Sequence, residues 1–256
     1  MDHRLILDWA DGQREVLQRD VMAFERKQTN PLISSRDSKT GDYLVRLDKS
    51  VIERVPDPFV FQVGDILHNM RVSLDYLTFS IVKPDPNVWK WVENTQFPIA
   101  RREETNWDAL VGSRLRGVSQ EVRSAFQDLQ PSNRWDTEHL PHPLFALDAL
   151  ENVHKHRHLL SAEPIVKIMG AAFWVGAVDM TKAQWGVGAS PSDENPVVFR
   201  LPLNPNDPEP RVQIRAPIIV CFDKKGVGRG APVVSLLEHI SNHIRRNVFP
   251  KLEKYV

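Results

Sequence analysis

Apolar residues recur from Leu5 to Lys27 at helical intervals, with Ile6, Trp9, Val16, Val21 and Phe24 set among polar neighbours. That spacing predicts an amphipathic helix, weakened near its start by Gly12. Gly41-Asp42 marks a turn, and the alternation of Tyr43 to Leu47 predicts a strand closed off by Pro56 and Pro58. The clearest helix runs from about Phe59 to Lys83 and stops at Pro84-Asp85-Pro86. A tryptophan-rich loop with Trp89, Trp91 and Trp107 follows, read as core cover or interface anchors before a ligand cage. A short helix is predicted over Val118 to Leu129 and a longer one over Pro143 to Leu160. Beyond Pro164 the pattern changes. Ile165 to Met180, Trp185 to Val187, Val197 to Leu201 and Val212 to Phe222 are rich in β-branched and aromatic residues divided by Gly, Pro and Asn. They predict antiparallel strands, interrupted by a proline-laden stretch from Pro191 to Pro210. A last helix is expected from Pro232 to Val248, with Val233, Leu236, Leu237, Ile240, Ile244 and Val248 on one face.

The expected class is therefore α+β: a helical bundle packed with a mainly antiparallel sheet in the C-terminal half. Residues 1–256 are read as a single domain, helical to about residue 160, with the sheet and terminal helix after it. The length is long for one core but short for two ordinary domains, and no Gly/Ser-rich linker divides the chain. Lysine plus arginine and aspartate plus glutamate both total 33, which removes the overall basic field of a dedicated nucleic-acid binder and confines any polyanion site to a local patch. A single cysteine, Cys221, excludes an internal disulfide framework and a multi-cysteine zinc site. With a charged N-terminal stretch and no apolar run long enough to span a bilayer, the expected location is the cytoplasm, without membrane contact.

Two helical segments concentrate the polar chemistry. On the first, Val63, Ile66, Leu67, Met70, Leu74, Leu77 and Ile81 fill one apolar arc, and His68, Arg71 and Asp75 line the opposite side. Val72 and Phe79 share that polar stripe, so it is expected to be covered. The plain alternative is a solvated face with an Arg71–Asp75 pair worth a few tenths of a kcal/mol. On the second, Phe145, Ala149, Val153, Leu159 and Leu160 define an arc that includes Asn152 and His156, two polar residues aimed at the core. Burying them without partners costs about 1–3 kcal/mol each, so they are expected to meet the His68, Arg71 and Asp75 stripe, with Lys155 and Arg157 flanking. A satisfied internal histidine and asparagine without catalysis is the other reading.

GDILHNMRVSLDYL (Gly64 to Leu77) and LENVHKHRHLL (Leu150 to Leu160) together resemble an uncharacterised bacterial and phage family with the pattern GDxxHNLRxxLDxL followed by NxxKHRxLL. The similarity includes Phe97-Pro98-Ile99 and His142-Pro143-Leu144 and covers roughly the first two thirds of the chain. The family brings no established activity. A looser similarity, at the level of chemistry, is to HEPN-type helical ribonucleases, which use R-x(4 to 6)-H; the one match here is Arg134 to His139, in a proline-flanked loop.

If the stripes face each other, the set suits metal-independent RNA cleavage. His68 and His156 would exchange protons with the ribose hydroxyl and the leaving oxygen, while Arg71 and Lys155 stabilise developing charge. Asp75, Asn69, Asn152 and Arg157 would orient or bind. No cofactor or metal is expected, and the possible partners are RNA and further copies of the chain. The rival expectation is a non-catalytic homo-oligomeric interaction or scaffold protein with a buried polar network. Other motifs are read plainly. Gly226, Gly228 and Gly230, after Lys224 and Lys225, form a mobile strand-to-helix connection rather than a phosphate loop. His239 and His243 lack the glutamate of a metalloprotease motif, His139, His142, His154 and His158 are surface residues, and Cys221 is an inert strand thiol.

Overall fold

The computed structural model describes residues 2–100, 106–131, 141–156, 162–166, 170–174, 180–186, 196–204, 207, 210–223, 227–228 and 230–256. The chain is α+β. Its helices are α1 (His3–Lys27), α2 (Asp57–Val82), α3 (Trp89–Asn94), α4 (Trp107–Arg114), α5 (Gln120–Gln127), α6 (Pro143–His156), α7 (Val233–His243) and α8 (Phe249–Leu252). The strands are β1 (Leu32–Arg36), β2 (Tyr43–Leu47), β3 (Ala162–Val166), β4 (Gly170–Trp174), β5 (Gln184–Trp185), β6 (Val197–Leu201), β7 (Arg211–Arg215) and β8 (Ile218–Phe222). Two compact units interleave along the sequence. One is built from Met1–Val21, Val55–Glu163 and Val220–Val256, the other from Met22–Arg54 and Pro164–Ile219.

The sheet unit centres on four strands in the order β1-β2-β6-β5, antiparallel throughout, with a separate antiparallel β4–β7 pair. The sheet thus takes two strands from early in the chain, beyond the single Tyr43 to Leu47 strand expected there. Their hairpin closes through Asp37, whose Oδ1 accepts the amides of Lys39 and Thr40 at 2.8 and 3.0 Å. Those donors hold the Asp37 carboxyl below its ordinary range, the Thr40 amide most. Gly41 takes φ +77°, which only glycine adopts without strain. Tyr43, Val45, Phe199, Leu201, Leu203 and Ile214 form the buried core of this unit. Arg200 of β6 donates through Nε to buried Asp42 at 2.7 Å, which fixes the register of β6 beside the hairpin.

In the helical unit, α1 buries Leu7, Ala10 and Leu17. The sequence pattern expects Ile6, Trp9, Val16, Val21 and Phe24 inside; Val21 and Phe24 are buried, whereas Trp9 and Val16 are exposed. Leu7, Ala10 and Leu17 repeat at the same intervals as Ile6, Trp9 and Val16, one residue or about 100° round the helix, so periodicity alone does not tell which faces inward. The end of the chain fixes the choice: Arg245 Nη2 donates to Asp8 and Asp11 at 2.6 and 2.8 Å, and Ser241 Oγ donates to Asp11 at 2.7 Å. Glu253 accepts from Arg4 Nε at 2.6 Å and lies 2.8 Å from His3 Nε2, and the Arg4 bond holds its carboxyl low. The terminal helix continues past α7 through one wide π turn, Ile244–Val248, into α8. Pro250 lacks an N–H and would crowd a regular preceding turn. The wide turn accepts it and still buries Ile244, Val248, Phe249 and Leu252. In the connection before α7, Gly228 packs so closely that a Cβ there would sit 2.3 Å from Phe222 Cβ; Lys224, Lys225 and Gly226 lie outside the described residues.

Candidate functional site

Helix α2 opens with Asp57 and Pro58 in its first turn and closes at Lys83, whose φ of 49° is left-handed and whose N–H returns to Phe79 O. Pro84 follows and bars a further helical turn. All seven expected core positions, from Val63 to Ile81, are buried. Gly64 is buried among them. A Cβ there would lie 2.1 to 2.6 Å from three atoms of the His154 ring of α6, so the absence of a side chain is what lets the two helices meet. His154, expected at the surface, is half-buried in this contact.

The polar residues of α2 have separate fates. Arg71 is only 5% exposed. Its Nη2 donates to the Phe97 carbonyl at 2.7 Å, its Nε reaches Asp75 Oδ2 at 3.4 Å, and its Nη1 lies 3.8 Å from Asp148 Oδ1 on α6. Asp75 Oδ1 accepts the Phe97 amide at 2.8 Å, so Arg71 and Asp75 together grip both backbone groups of one residue. Arg114 adds a second donor to Phe97 O at 3.3 Å. Gln130, 1% exposed, continues the grip: it accepts the Ala100 amide at 2.8 Å and donates to Pro98 O at 3.1 Å and Phe126 O at 2.8 Å. The segment from Phe97 to Ala100 has no helix or strand of its own, and these side chains satisfy its buried backbone groups. Burial pushes the Asp75 carboxyl above its ordinary range, against the charge of Arg71 and the Phe97 amide, which pull it down.

His68 is 51% exposed by side chain, with Nδ1 3.4 Å from Oε1 of buried Glu151. Asn69 turns the other way and donates to Gln13 of α1 at 2.9 Å. Val72 and Phe79, expected under cover, are half-buried and exposed. On α6, Asn152 does not meet the α2 stripe; its Nδ2 turns back to the Asp148 carbonyl within its own helix. Lys155 and His156 stand in the last turn of α6, where the side chains are not described, and Arg157, Arg134 and His139 lie outside the described residues. Among the described residues of α6, the buried polar side chains are Asp148 and Glu151. Their position next to the buried Leu147 and Leu150, three residues apart, is the sequence signal for this pair. Nothing in the sequence pointed to Gln130.

Among the described residues the assembled set is thus two guanidiniums, Arg71 and Arg114, one half-exposed imidazole and three carboxylates, Asp75, Asp148 and Glu151. Elsewhere, His142 and His243 stack edge to face at 5.1 Å, and among the described residues no three His, Cys, Asp or Glu side chains gather as a metal site. A separate apolar groove of about 610 Å³ runs between α1 and α2, lined by Leu5, Ile6, Asp8 and Trp9 on one side and Asn69, Val72 and Tyr76 on the other. Among the described residues no helix is long and apolar enough to cross a membrane. No protein-family model, curated protein or solved structure matches the chain.

Proposed function

We propose that this chain is a non-catalytic interaction protein, acting in the cytoplasm through contacts with other copies or other proteins, and that its most distinctive polar residues are a structural clasp. The observation that carries this reading is the position of Arg71. A guanidinium only 5% exposed, donating to the Phe97 carbonyl and flanked by two carboxylates, presents almost no surface to a substrate phosphate, although its buried Nη1 makes no hydrogen bond among the described residues. Exposed Leu5, Trp9, Tyr76 and Phe79 support the other half of the reading, a surface suited to protein contact.

The competing reading, metal-independent RNA cleavage or RNA binding as in HEPN-type proteins, retains one observation in its favour: the accessible His68 ring beside Glu151, an imidazole oriented by a carboxylate. Incubating the purified protein with RNA in EDTA separates the two. The clasp reading expects no cleavage from the wild type, His68→Ala or His156→Ala. Cleavage that persists in EDTA and disappears in either variant overturns it.

A further inference from the structure

The outward face of α1 carries a second periodic seam. Asp2, Leu5, Trp9, Gly12, Val16 and Arg19 follow one another at intervals of three, four, three, four and three residues, the spacing of a two-helix coiled-coil interface. All six are exposed, Leu5 by 62% and Trp9 by 65%. Within the chain this costs stability without return: large apolar groups face water, and a glycine stands mid-helix with negative φ. Among the described residues nothing lies within 4 Å of where a Gly12 Cβ would be, so no close approach inside the chain explains that glycine.

The series is also its own complement when reversed. In an antiparallel pair about a two-fold axis between residues 10 and 11, Trp9 of one helix lies opposite Gly12 of the other, Leu5 opposite Val16, and Asp2 opposite Arg19. Each pairing matches: an indole fills the gap left by a glycine, an aliphatic meets an aliphatic, and a carboxylate meets a guanidinium. Building on the interaction reading above, we infer that the outward face of α1 is a homodimer interface, in which α1 packs antiparallel against α1 of a second copy with Trp9 seated over Gly12. Leu5 and Trp9 also wall the neighbouring groove, so Val72 and Tyr76 of α2 extend the buried patch. The seam is about 25 Å long and two helices are about 20 Å wide, giving roughly 500 Å² per copy. That lies below the ~800 Å² of a standard stable interface, so the dimer is expected to dissociate in the micromolar range.

Sedimentation of the full chain across micromolar concentrations reads the monomer–dimer equilibrium. Trp9→Asp is expected to weaken the dimer by about 30-fold or more, as for a central aromatic anchor, while circular dichroism stays unchanged. Gly12→Leu should also give monomer, because the leucine occupies the slot of the indole. Arg19→Glu should weaken association and Asp2→Lys in the same chain should restore it. Leu5→Cys and Val16→Cys proteins, oxidised as a mixture, should form the mixed disulfide in preference to either like pair. A wild type that stays monomeric at every concentration overturns the inference, as does a dimer indifferent to Trp9→Asp or a preference for like-pair disulfides. Those results leave the non-catalytic reading intact, whereas EDTA-resistant RNA cleavage sinks that reading whatever the oligomeric state.

Discussion

Each of the two longest helices carries one mid-helix glycine, and the surroundings of the two are opposite. At Gly64 of α2 the missing side chain is filled by His154, and the neighbouring polar residues are consumed by internal contacts through Arg71, Asp75 and Asp148. At Gly12 of α1 the space stays open and the neighbouring apolar residues face outward. The comparison teaches that the residues resembling an active site are the ones this fold needs for itself. The surface left to meet something else is the one without notable chemistry.

The strongest way to break the contrast is Arg71→Ala, which leaves Asp75 and Asp148 buried without their cation and Phe97 O short of a donor. A loss of about 3–5 kcal/mol in denaturant-measured stability is expected. Gly64→Ala comes next. In an open helix the change would add stability, but here the new methyl overlaps the His154 ring, and a loss of about 1–3 kcal/mol is expected in thermal or chemical unfolding. Combining it with His154→Ala should recover much of that loss, a coupling that a double-mutant cycle measures. The same substitution at Gly12 should have the opposite sign, a gain of up to about 1 kcal/mol in monomer stability. The smallest expected effect is on pH dependence. With its folded-state pKa raised, Asp75 favours the protonated form in the native protein. Stability relative to Asp75→Asn should therefore be highest below the unfolded value of about 3.9 and fall as pH rises through the folded one. Carbon-detected titration of the Asp75 carboxyl, paired with unfolding on both sides of that range, checks the sign.

How far these features are legible in the sequence depends on what each rests on. The core face of α2 follows from spacing alone because seven apolar residues leave a single solution. The first half of the α1 face does not, because Leu7, Ala10 and Leu17 compete with Ile6, Trp9 and Val16 at equal periodicity, and tertiary contacts with Ser241 and Arg245 decide. On α6 the inward direction is read from an apolar arc that includes Asn152 and His156, and Asp148 and Glu151 go unconsidered. Asp148 and Glu151 are buried all the same, since Arg71 and His68 lie across from them. Gln130 was invisible for another reason: its role is to satisfy the irregular backbone of Phe97 to Ala100, and irregular backbone leaves no periodic trace. The early hairpin was half legible, since β1 alternates poorly and is mostly exposed, and it is recruited by pairing with β2.

His68→Ala and Arg71→Ala, unfolded side by side in denaturant, test the central claim most directly, because an active-site account treats them as equals and a clasp does not. The half-exposed histidine is expected to cost under about 1 kcal/mol and the buried arginine about 3–5 kcal/mol. Equal, near-wild-type stability in both variants would contradict the clasp.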